Sequence, residues 1–137
     1  MSRVRRQFQR VLVLGALSAC STRRVAGAIP EPWAKLHLPM ENLDSVRAET
    51  DEGHFSADYR GCTAEQLLKR VETALVDAGY KRTCSQFEGV VRGYTKGPAT
   101  LLVKVDSLGP VQALSVGNEQ GSDRLLFGLC FKGYRLE

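Results

Sequence analysis

The stretch that most restricts what this chain can fold into is TAEQLLKRVETALVDAG, residues 63–79. Ala64, Leu67, Leu68, Val71, Ala74, Leu75 and Ala78 recur at helical spacing on one face, while Glu65, Lys69, Glu72 and Asp77 take the other. Thr63 with Gln66 fits a capping box at the start, and Gly79 supplies the left-handed residue that ends such a helix. One amphipathic helix has nothing of its own to bury its stripe against. It needs a sheet to cover.

The flanking sequence supplies strands. NLDSVRAE (42–49) and HFSADYRG (54–61) enclose the turn TDEG, and Phe55, Ala57 and Tyr59 alternate with His54, Ser56 and Asp58. From Tyr80 onward come YKRTCSQF, VVRGYTK, ATLLVKVDS, VQALSVG and DRLLFGLCF, separated by EG, GP, LGP and NEQG, breaks short enough for antiparallel neighbours. Leu101, Val103 and Val105 point one way along their run, as do Leu125, Phe127, Leu129 and Phe131 along theirs. The fold class expected is therefore α+β: an antiparallel meander sheet of five to seven strands with one amphipathic helix packed on one face.

By the same alternation, the face turned away from the helix carries Arg92, Tyr94, Leu102, Lys104 and Leu126, with Leu114 and Val116 as further members. A fully solvated face would be more polar. Something is expected to cover it: the N-terminal tether described below, a second copy in a homodimer, or a partner protein. It is the binding face the sequence suggests.

The start of the chain has a different character. MSRVRRQFQR holds Arg3, Arg5, Arg6 and Arg10 with no acidic residue, and VLVLGALSA follows with nine apolar or small residues. This is the charged-then-apolar order of a secretory signal. At about 1.5 Å per residue the apolar run covers roughly 14 Å, under half of a bilayer core of about 30 Å. It is too short to span.

The last three residues of this run with the one that follows, Leu17, Ser18, Ala19 and Cys20, resemble the lipobox of bacterial lipoprotein precursors. That resemblance covers the first twenty residues. It implies covalent lipid on the Cys20 sulfur, palmitate among its chains, and cleavage just before Cys20, which becomes the N-terminus. It also implies durable attachment, because two or more acyl chains anchor stably where one does not. By the same resemblance, Ser21 in place of an aspartate implies the outer membrane, facing the periplasm, with the inner membrane and the cell surface left open. A competing ordinary cleavage site, AGA at 26–28, lies beyond Arg23 and Arg24 and far from the apolar run.

This reading divides the chain into a signal peptide at 1–19, a lipidated N-terminus and tether at 20–40, and a single α+β domain at 41–137. The tether rests on Pro30, Pro32 and Pro39 and on the lack of any sustained period. Trp33, Leu36 and Leu38 are odd in a spacer and are expected to fold back on the domain, the alternative being a docking segment for a partner.

Removing the leader also changes the charge. The full chain has nineteen Lys and Arg against fifteen Asp and Glu; losing four arginines with the signal leaves the two signs equal. A nucleic-acid footprint needs clustered, uncompensated cations, so nucleic acid is not an expected partner.

With Cys20 lipidated, Cys62, Cys84 and Cys130 remain, and an oxidising compartment favours one bridge and one leftover thiol. Cys84 is in phase with Tyr80, toward the helix, whereas Cys130 is out of phase with Leu129 and Phe131. Cys62 sits at the helix start, to which the strand after Gly79 can return. The pairing expected is Cys62 with Cys84. No close cysteine pair suggests zinc, and only His54 lies where it could serve a nucleophile, so no metal, cofactor beyond the Cys20 lipid, or catalytic residue is expected. GVVRGYTKG lacks the strand, loop and helix order of a phosphate cradle.

The function expected is that of a lipid-anchored envelope protein with a small, non-enzymatic, protein-binding periplasmic domain, an accessory factor of an envelope assembly bound to an unidentified envelope protein. The alternatives are an immunity or inhibitor lipoprotein that neutralises a toxin or enzyme in the periplasm, and an enzyme with an unrecognised site.

Overall fold

The helix read from the sequence forms where its caps place it. In the computed structural model, which describes residues 29–136, helix α1 runs Ala64–Asp77. Thr63 Oγ1 accepts from the Gln66 N–H at 3.0 Å, and Gln66 Oε1 accepts from the Thr63 N–H at 2.9 Å. At the other end Gly79, at φ +100°, lets its own N–H reach the Val76 carbonyl and the Tyr80 N–H reach that of Leu75. Both orphaned ends of the helix are thereby satisfied.

Six strands form the sheet: β1 Leu43–Val46, β2 His54–Arg60, β3 Lys81–Gln86, β4 Val91–Lys96, β5 Ala99–Leu108 and β6 Val111–Gly117. Their spatial order is β1-β2-β6-β5-β4-β3, with every neighbouring pair antiparallel. The expected α+β sheet with its helix is thus present, and β3 to β6 form the meander. The first hairpin joins it through β2 beside β6, so β2 and β3 run the same way with three strands between them. A connection across four strand spacings, about 19 Å, is needed, and α1 is about 21 Å long.

One face of the sheet packs against α1. Leu67, Leu68, Val71 and Leu75 of the helix meet Phe55, Ala57, Tyr59, Tyr94, Leu101, Val103, Val105, Leu114 and Val116 in the main core. Residues 29–40, expected to belong to a tether, instead belong to the domain. Trp33 opens a short 3-10 turn, Trp33–Leu36, and is 3% exposed; Leu38 is 2% exposed. Trp33 Nε1 donates to the Asp51 carbonyl at 2.6 Å, and the Tyr59 hydroxyl donates to that of Pro39 at 2.7 Å. The fold-back of Trp33 and Leu38 is therefore the arrangement adopted. Leu36 is half-buried against the same core.

DRLLFGLCF, expected to be a strand, is a second helix, α2, Arg124–Phe131. Asp123 caps it, its carboxylate accepting from the Leu126 N–H at 3.0 Å. The apolar residues here satisfy period two and the helical period alike, since Phe127 with Phe131 and Leu126 with Cys130 are both four apart. The capping aspartate and Gly128 tip the balance, because the helix can lay a glycine against the Tyr134 ring, where any Cβ would collide. α2 lies on the face opposite α1, where Phe127 joins Val91 and Leu102 in a second, smaller cluster flanked by Leu126, Cys130 and Phe131.

The single disulfide among the described residues links Cys84 to Cys130, with Cα atoms 5.4 Å apart, and Cys62 is a free thiol. The expected Cys62–Cys84 pairing is corrected on two counts. Cys130 lies on a helix, so strand parity does not apply to it. A register shift between Arg82 and Cys84 also breaks the alternation that tied Cys84 to Tyr80, and Cys84 faces α2 beside Gly93. Closing a loop with a sequence separation of 46 contributes about 4 kcal/mol in the chain-entropy view.

Candidate functional site

The expected binding face divides between the two sides of the sheet. Arg92 and Tyr94 lie under α1: Tyr94 pairs in register with Leu101, and Arg92 with Val103, both on the α1 side. Leu114 and Val116 are in the main core. Leu102 and Lys104 do face away from α1, but Leu102 is buried beneath α2, and Leu126 is part of that helix. The apolar half of this face is thus covered by the chain's own helix α2. Parity within each strand follows from sequence, but the register linking β4 and β6 to β5 does not, and one residue of slip moves every side chain to the other face.

Arg92 and Tyr94 belong to a cluster that sequence reasoning missed. Glu72 Oε1 accepts from the Tyr94 hydroxyl at 2.6 Å and lies 3.4 Å from both Arg92 and Arg82. Burial first, and then the bond to Glu72, push the Tyr94 phenol well above its ordinary range, while Arg92 opposes them. Burial raises Tyr59 in the same way. The signal available in sequence was Glu72 on the polar side of α1 at a distance that strand residues reach only once the helix is docked. The arrangement fixes α1 to β3 and β4.

On the open half of the far face, charges pair with one another: Arg47 with Asp58 at 2.9 Å and Lys104 with Asp106 at 3.3 Å. The bond to Asp58 raises the Arg47 pKa. His54 Nε2 lies 2.6 Å from Ser115 Oγ across the β2–β6 pair, beside a cavity of about 140 Å³ that Lys104, Ser122 and Asp123 also line. Among the described residues no carboxylate bonds the other ring nitrogen. Among them, too, no group of three or more His, Cys, Asp or Glu is placed to hold a metal, and no helix is long and apolar enough to cross a membrane. Cys20 lies outside the described residues.

A depression of about 850 Å³ runs between residues 32–41 and the C-terminal half of α1. Leu36, Pro39, Met40, Ala74 and Tyr80 give it an apolar floor, and Lys35, Glu41, Arg70, Asp77 and Lys96 a charged rim. Two of the rim's cations are held in place. Arg70 donates to Asn42 Oδ1 at 2.8 Å, and Lys96 donates to the Ala78 carbonyl at 2.7 Å while lying 5.8 Å from the Tyr80 ring centroid. A second depression of about 750 Å³ lies across the Leu36 and Tyr80 ridge, so the fold-back segment has a groove along each side. An apolar floor with a few fixed polar groups suits an extended peptide or an inserted side chain.

Together the elements define a small α+β protein with a groove beside its N-terminal segment. Compared with known proteins, the chain matches no family model, no curated protein and no solved structure.

Proposed function

We propose that this protein is a lipid-anchored component of the bacterial envelope whose domain binds another envelope protein without catalysing a reaction. The observation that carries the compartment is the Cys84–Cys130 bridge, since disulfides persist where the surroundings are oxidising. It agrees with the signal and lipobox at residues 1–20. Eight residues lie between Cys20 and Ile29, so at most about 30 Å of chain joins them, and lipid on Cys20 keeps the groove close to the leaflet. The groove supports the binding part of the reading, because Leu36, Pro39 and Met40, in the first part of the domain to follow the anchor, supply much of its apolar floor.

Two measurements test the reading separately. Cys20→Ala should move the protein from the membrane pellet to the soluble fraction; persistence in the pellet would contradict the anchor. A photo-crosslinker at Met40, on the groove floor and 48% exposed, should capture one envelope protein in living cells, while the same probe at Lys104 captures none. Capture at Lys104 alone would place the interface on the opposite face of the sheet.

A further inference from the structure

The two helices are held to the sheet in different ways. α1 lies over the main core and is tied to it by Glu72 and by Arg70. α2 covers a cluster with only three buried members, Val91, Leu102 and Phe127. Among the described residues no side-chain hydrogen bond runs from α2 to a strand. The loop before it is pinned: Asn118 N–H donates to the Gly53 carbonyl at 3.0 Å, and Ser122 Oγ donates to the Asn118 carbonyl at 2.7 Å. Its far end is joined covalently to the edge strand β3 through Cys130, and beyond that bond, among the described residues, only the Phe131 ring on Gly93 and an exposed Lys132–Glu119 ion pair at 3.0 Å hold it.

We propose that α2 is a latch closed by the Cys84–Cys130 bond, and that reduction of this bond releases the helix and bares the apolar strip of Val91 and Leu102 while the α1 core stays folded. With the bond intact Cys130 cannot leave Cys84, because a disulfide holds its Cα atoms within about 7 Å. Without it, a helix of eight residues is too short to persist undocked, so an open α2 is an unfolded one that pivots at residues 118–122. Both sulfurs belong to half-buried residues, and one of them sits on a sheet edge, where an attacking thiolate has access. The reductant is a dithiol. One of its thiolates displaces a cysteine sulfur, its second thiol resolves the mixed disulfide, and two electrons and two protons pass to Cys84 and Cys130 as the dithiol becomes a disulfide. This device is independent of the lipid anchor and of the groove.

The experiment is amide exchange on the membrane-extracted protein in detergent, with and without dithiothreitol, alongside alkylation and the emission of Trp33, the sole tryptophan. Alkylatable thiols outside Cys20 should rise from one to three. Exchange at Arg124–Phe131 should quicken at least roughly tenfold, while α1, β5 and Trp33 emission stay unchanged. The double variant C84S/C130S, with Cys62 kept, should show the open pattern with no reductant. A thiol count that stays at one under native conditions overturns the switch. Undiminished protection of α2 in the double variant overturns the latch, as does joint loss of protection in α1 and β5 with a shifted Trp33 emission.

Discussion

Tyr94 places its ring in the core and its hydroxyl on Glu72, and that combination makes a pH prediction. Its folded-state pKa is raised, as is that of Tyr59. A group raised in this way contributes stability that is fully present below the unfolded value, about 10 for tyrosine, and lost as pH climbs toward the folded value. Urea midpoints should therefore hold steady up to about pH 10 and fall above it, and Tyr94→Phe should flatten that fall. At neutral pH the same variant should cost about 1–2 kcal/mol, since Glu72 keeps Arg82 and Arg92. At this scale the sequence was legible where the signal was local. Thr63, Gln66 and Gly79 did what their positions demanded. It misled at Cys84 and Cys130, because a register shift on one strand and a helix in place of another both lie beyond what alternation can report. Peptide mapping without reduction should show one cross-linked pair, Cys84 with Cys130, and Cys62 alkylated; a Cys62-containing cross-link would contradict the fold around α2.

Among the elements, α1, β2, β5 and β6 were legible from their own periodicity, whereas the short β1 and the polar β3 were legible only from the turn residues that bound them. The segment at residues 29–40 was legible only in part. Its prolines read as a spacer, yet Trp33 and Leu38 are anchors whose places depend on a core assembled from residues far along the chain. Leu38→Ala should cost about 2–5 kcal/mol and Trp33→Ala about 3–5 kcal/mol, read from urea unfolding; losses under 1 kcal/mol would make the segment a spacer after all. The edges of the sheet are also managed. β1 is short, β3 carries Lys81 and Arg82, and both have a register shift against their neighbour. Bulges, short length and basic residues discourage strand addition, which agrees with the groove along the N-terminal segment, rather than a sheet edge, as the proposed place for a partner.

For the molecule as a whole, the sequence conveyed fold class and could not convey which face α2 would cover, because that depends on strand order, and β2 joins β6 across the whole chain between them. The layout that results is a sheet with a firmly held helix on one side, a latched one on the other, and a groove beside the segment that leads back toward Cys20. Its proposed placement in the cell rests on chemistry at that cysteine. The most direct measurement is the intact mass of the protein purified from membranes. The account predicts a chain that starts at Cys20 and carries a diacylglyceryl thioether and an acylated amine; a bare Cys20 sulfur, or a chain that retains residues 1–19, would contradict it.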